Sequence, residues 1–179
     1  MTATVRIWDP LVRIFHWSLV ISFATAWLTG DDLENLHHWA GYAAAALIGF
    51  RVVWGLTGPG HARFSGFVRG PGTVLGYLRD MAGKREKRYL GHNPAGGAMV
   101  VALIVTMAAL SLTGWMYTTD AFWGVNWVEE SHEILANIML GLVLVHIGGV
   151  ALASLRHREN LVRAMFSGEK RAPSGNDIG

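Results

Sequence analysis

A chain of 179 residues, 51% hydrophobic and only 16% charged, with a mean hydropathy of +0.30, is too apolar for an ordinary water-soluble domain and reads as one membrane-embedded domain. It contains no cysteine, which excludes disulfides, iron–sulfur clusters, zinc fingers and the C-x-x-C-H attachment of c-type haem. The formal net charge is only +2, so where the charges lie matters more than their sum.

Four stretches are long and apolar enough for the roughly 20 helical residues that cross a bilayer. The first is about 11–29, "LVRIFHWSLVISFATAWLT", with Arg13 at its polar rim and His16 just inside. Read as a cleaved signal peptide, it would end at the small residues Ala24–Ala26, but the apolar run continues through Trp27 and Leu28. After the acidic connector Asp31, Asp32 and Glu34, the second span covers about 36–56 and opens on His37 and His38. The connector of about 57–96 is too long for a turn. Within it Pro71 suits a first helical turn, and Val74, Leu75, Leu78 and Met81 follow at helical spacing. With Arg79, Lys84, Arg85, Lys87 and Arg88 close by, residues 71–82 suggest a short helix on an anionic leaflet; a solvated basic loop is the plainer alternative. The third span is about 97–117 and the fourth about 131–155, with Asp120, Glu129 and Glu130 in the connector between them. The tail from Ala172, "APSGNDIG", is expected to be disordered.

All fifteen Lys and Arg residues lie in the N-terminal segment, at the end of span two and the loop after it, or in the C-terminal segment. The other two connectors contain none. By the positive-inside rule both termini are cytoplasmic, and an even number of spans agrees. The expected fold is an all-α integral membrane four-helix bundle.

Histidines carry the chemistry. His132 and His146 are fourteen residues apart. On a helix this brings them within about 40° of one direction and separates them by about 21 Å along the axis. No single ion can bind both, but two ligand planes can. Depth pairs His16 with His146 towards the cytoplasmic side, and His37 or His38 with His132 towards the outer side. Two bis-histidine planes inside a bundle are what two non-covalent b haems require. Gly41, Gly49, Gly141, Gly148 and Gly149 offer small surfaces for a porphyrin, although glycines at plain helix contacts do the same. His146, deep in an apolar run, is the hardest to read otherwise. His61, His92 and His157 read as surface residues.

The chain resembles the bacterial cytochrome b561 family, including the b-type cytochrome subunit of nickel–iron hydrogenase. The stretches that carry the resemblance are "VRIWDPLVRIFHW", "LHHWAGYAAAALIGFRVVWG", "GPGHARF", "YLGHNPAGG", "LTGWMY", "SHEILANIMLGLVLVH" and "HRENLVRAMFSGEKR", in order from Val5 to Arg171. It implies a diheme cytochrome of the bacterial inner membrane, moving electrons between a redox partner and the quinone pool. It matches His16, His132 and His146 to the family ligands. A histidine four residues before Gly41 selects His37, although the doublet with His38 departs from the single histidine expected. Arg51 matches a recurring position and reads as a haem-propionate partner or a snorkelling end residue.

The resemblance implies an electron carrier with no catalytic residue of its own. A superoxide:quinone oxidoreductase would want a positive outer funnel, and this outer face is acidic. A haem-bearing anchor of a hydrogenase or dehydrogenase complex is hardly separable from the carrier. The acidic outer connectors suit a c-type cytochrome with a basic rim, or reflect only the exclusion of Lys and Arg from translocated segments. No nucleic-acid partner is expected.

Overall fold

The computed structural model describes all residues except Met1, Thr2, Asp31, Asn176 and Gly179. Asp31, an expected outer carboxylate, thus lies outside the described residues. Four helices are long and apolar enough to cross a membrane: α1 (Pro10–Thr29), α2 (Glu34–Thr57), α5 (Pro94–Tyr117) and α6 (Asn126–His157). Between α2 and α5 come a single 3-10 turn, Gly60–Ala62, then α3 (Phe64–Phe67) and α4 (Pro71–Ala82). After α6 follows α7 (Leu161–Ser167), and short strands β1 (Thr4–Arg6) and β2 (Glu169–Arg171) stand near the two ends of the chain. The chain is a multi-pass, mostly helical membrane protein.

The fourth span begins five residues before the expected Ser131. Val128 is fully buried, which anchors the added first turn, and Glu129 falls in that turn, where negative charge suits the helix dipole. Glu129 and Glu130 are therefore helical residues, not connector residues as the sequence suggested.

The chain divides into two units. One, residues 14–53 and 102–143, contains by sequence seven carboxylates and a single basic residue, Arg51; the other, residues 1–13, 54–101 and 144–179, holds the other fourteen Lys and Arg. They are called here the acidic and the basic unit.

In the acidic unit all four long helices contribute to one core of Phe15, Ala44, Ile48, Met107, Leu110 and Met139. Leu19 and Phe23 continue the Phe15 face of α1, and Leu135, Ala136 and Val143 flank Met139 on α6, all at helical spacing. The opposite faces are apolar as well. On α1 the exposed stripe is Ile14, Ile21 and Leu28, the last 80% exposed. A helix that is apolar inside and out needs apolar surroundings, and a bilayer provides them.

The basic unit is built on caps and ion pairs. Asp9 accepts from the backbone N–H groups of Leu11 and Val12 and from the Trp54 indole, which starts α1 with Pro10 in its first turn. Asn160 caps α7 through Arg163 N–H, and Gly168 closes it at φ +83°, a conformation that favours glycine. The Gly168 carbonyl accepts from Ile7 and Trp8, and β1 runs antiparallel to β2, pairing Thr4 with Arg171. The two terminal segments therefore lie together at one end.

Two expectations change here. Arg88 is no solvated cation: at 5% exposure it bonds to Glu159 and Asp177 at 2.7 and 2.6 Å, and donates to the Arg171 carbonyl. Lys170, equally buried, lies 3.5 Å from Glu159, while Arg156 pairs with Glu86. The tail is also fastened, not disordered, over its described part. Asp177 is held by Arg88 and Ser174, and Ile178 N–H donates to the Arg88 carbonyl. On α4, Tyr77 turns inward and its hydroxyl is pushed up to about 12, by burial and then by Glu86, whereas Leu75 and Leu78 stay exposed.

Burial pushes the Glu159 carboxyl up, but bonds from Arg88 and the Arg171 N–H outweigh it and hold the group below its ordinary value. Asp177 is held low by Ser174 N–H and then Arg88. Depressed carboxyl pKa values contribute stability that is complete above the ordinary carboxylate range and is lost as pH falls through the depressed values. Thermal melts in detergent should therefore show the wild type loosening below about pH 4. At pH 7, Glu159→Gln should cost about 3–5 kcal/mol by removing the carboxylate that Arg88 and Lys170 share, leaving Asp177 to face Arg88 alone. An unchanged melting temperature in that variant would make the network incidental.

Candidate functional site

Two of the sequence-predicted histidines meet within the acidic unit. The ring centroids of His37, on α2, and His132, on α6, are 6.1 Å apart. Each ring is held through Nδ1. His37 Nδ1 lies 2.9 Å from the carbonyl oxygen of Ala26, and His132 Nδ1 lies 3.1 Å from that of Leu110. A carbonyl oxygen only accepts, so in both rings Nδ1 carries the proton and, in the neutral imidazole, Nε2 keeps its lone pair. That is how metal-binding histidines are commonly oriented.

The local sequence makes both acceptors available. Ala26 is in the last turn of α1, where helix carbonyls lack a partner four residues on. Leu110 lies mid-helix on α5, and a second lone pair on its oxygen serves His132. Thr113 Oγ1 donates to the carbonyls of Ala109 and Leu110, and its oxygen lies 3.1 Å from His132 Nδ1. Gly114 permits this approach: a Cβ there would stand 2.9 Å from His132 Cε1. Sequence reasoning missed Thr113 and Gly114 as members of the site. The signal was a Thr–Gly pair within an apolar span, a hydroxyl beside a gap.

His38 takes the next position on α2, its ring 6.0 Å from that of His37. One residue is a turn of about 100°, so the two side chains leave the helix in different directions. The other expected pair divides between the units: His16 is half-buried in the acidic unit with its ring 5.0 Å from Trp17, and His146 is half-buried on the basic-unit part of α6. Arg51, on α2, is 2% exposed. A snorkelling residue keeps its head in water, which this guanidinium does not. His92 is not a surface residue either, packing at 4.8 Å from Trp8 and 4.4 Å from Phe67.

Among the described residues no three His, Asp or Glu side chains converge as metal-binding donors. Donors that come in twos suit a metal whose other ligands arrive with it, as in a porphyrin. With their centroids 6.1 Å apart and Nδ1 turned to carbonyls, His37 and His132 leave Nε2 on each ring as the atom that would hold a metal between them. Gly41 and Gly141, and also Gly49, Gly148 and Gly149, face space in which an added Cβ would meet nothing within 4 Å. The residues present therefore fit a bis-histidine haem at His37 and His132.

The profile of the family described as Prokaryotic cytochrome b561 matches residues 7–168. A "probable Ni/Fe-hydrogenase B-type cytochrome subunit" of Bradyrhizobium diazoefficiens is 26% identical over 215 aligned positions, covering 93% of this chain and 86% of the relative. Relatives with the same description from Rhizobium leguminosarum bv. viciae and Azotobacter vinelandii are 23% and 24% identical, covering 93% and 92% of this chain and 89% and 87% of their own length. No solved structure matches at comparable significance.

Gly114→Ala tests the packing of the site. The new methyl must displace the His132 ring, at a cost of about 1–3 kcal/mol. Its thermal midpoint should fall, whereas Gly76→Ala on α4, which meets nothing within 4 Å, should not lower it. Equal midpoints in both variants would show that the ring moves freely.

Proposed function

The chain belongs to the prokaryotic cytochrome b561 family and is a membrane b-type cytochrome, and from that premise we propose that it binds two non-covalent b haems and carries electrons between a redox partner and the quinone pool of the bacterial inner membrane. The observation that carries the reading is the pair His37 and His132, 6.1 Å apart with both Nδ1 protons turned to backbone carbonyls. When bound, the haems supply reversible one-electron chemistry. The Ala26 and Leu110 carbonyls orient the two imidazoles so that both Nε2 lone pairs are free to ligate. His16 and His146 are the proposed ligands of the second haem, supported by the fourteen-residue spacing of His146 from His132 on α6 and by the glycines Gly49, Gly148 and Gly149. Arg51, buried and cationic, suits a propionate.

Fourteen of fifteen Lys and Arg residues fall in the basic unit, which supports a cytoplasmic location for that unit and both termini. The exposed Leu75 and Leu78 of α4 support an interfacial position for that helix. At the acidic unit, the exposed carboxylates Asp32, Glu34, Glu129 and Glu130 favour a partner with a basic rim, such as a periplasmic c-type cytochrome. The relatives' description favours a second reading, a hydrogenase-associated subunit. Their alignments run over 215 and 213 positions, more than the 179 residues here, so they carry segments without a counterpart in this chain.

A pyridine haemochrome assay on purified protein should give two haems per chain, and redox titration with and without quinol should resolve two potentials. His37→Ala should leave one haem and His38→Ala two; the opposite pattern would transfer the ligand role to His38. Stopped-flow reduction with a basic cytochrome c should slow steeply between low and physiological salt, where exposed charges are screened over about 8–10 Å. Neutralising Glu129 and Glu130 should slow it at low salt. A rate indifferent to both would remove the basic partner from the reading.

A further inference from the structure

The two imidazoles of the pair are not held alike. Among the described residues, His37 has one acceptor for its Nδ1 proton, the Ala26 carbonyl at 2.9 Å. His132 has two, the Leu110 carbonyl and the Thr113 hydroxyl oxygen, both at 3.1 Å. The Thr113 hydroxyl cannot be the donor in that contact. Its proton is directed to the carbonyls of Ala109 and Leu110 at 3.1 and 3.0 Å, and His132 Nδ1 already carries a proton because it faces a carbonyl. The threonine oxygen therefore presents lone pairs to an N–H. Thr113 is buried, so water does not compete for the contact.

We infer that Thr113 is a positioning residue that makes His132 a stronger axial donor and so lowers the midpoint potential of the haem on that pair. The inference rests on the reading of His132 as a ligand. Two acceptors drawing on the Nδ1 proton leave more electron density at Nε2. A more basic imidazole stabilises the oxidised iron over the reduced iron, and hydrogen bonding around an axial ligand is one of the protein's means of setting a haem's potential. Thr113 reaches the metal only through His132, and the Gly114 gap beside it is what admits the ring.

Thr113→Val removes the hydroxyl and keeps the volume; Thr113→Ser keeps the hydroxyl and gives up a methyl. Both are measured by pyridine haemochrome assay and by optical redox titration of the full chain. Thr113→Val should retain two haems and raise one midpoint only. An approximately tenfold loss of preference for the oxidised state corresponds to a shift of about 59 mV for one electron. Thr113→Ser should titrate as the wild type. The inference is overturned if both variants match the wild type, if both shift equally, or if both lose a haem, since the last two would mark a packing role. His132→Ala separates this from the parent reading. If that variant keeps two haems, the ligand assignment itself fails. If it loses one while the Val and Ser variants match the wild type, only the role of Thr113 fails.

Discussion

A hydrogen-bonding group placed among apolar helices must find its partner inside the protein, because the surroundings offer none. The imidazoles of His37 and His132 meet that requirement through Nδ1 and a backbone carbonyl. Much of the acidic unit can be read from this constraint. The carbonyl of Ala26 is available because α1 ends at Thr29, and the Leu110 carbonyl is reached because Gly114 has no side chain. Thr113 then satisfies its own hydroxyl on α5 while adding to the hold on His132. The core of Phe15, Ala44, Ile48, Met107, Leu110 and Met139 brings together the four helices from which these groups come.

The basic unit solves a different problem, that of packing charge. Arg88 and Lys170 are each 5% exposed and share Glu159, whose carboxylate also accepts the Arg171 N–H. Such a cluster gains little over a well-packed apolar one, but loss of a member leaves a buried charge unmatched. It therefore specifies an arrangement more than it adds stability. Here it ties the loop before α5, the turn after α6 and the terminal segment to one another.

The spans were legible because four long apolar runs in so short a chain leave few alternatives; all four observed helices finish within two residues of the expected C-terminal ends, while α5 and α6 begin three and five residues early. Depth led to the expectation that His37 or His38 meets His132, and His37 does, whereas the expected partners His16 and His146 divide between the two units. What periodicity does not carry is pairing between distant residues. Arg88 looked like one of a run of basic loop residues, and only Glu159 and Asp177, 71 and 89 positions away, make it a buried one. The tail looked disordered because its composition is polar and small, yet Asp177 is held by an arginine that the composition cannot reveal. The strands escaped notice for the same reason, since three residues on each side have no pattern of their own. In the site, a threonine and a glycine next to each other on α5 reveal their role only once α6 brings His132 beside them.

The pairing of β1 with β2 also orders events in time. Thr4 leaves the ribosome 165 residues before Glu169, to which its side chain bonds. At synthesis rates of about 5–20 residues per second, the first strand waits roughly ten to thirty seconds for its partner. Until residues 169–171 are made, β1 therefore has a bare strand edge. Such an edge is the kind of surface that quality-control proteases and aggregation both recognise.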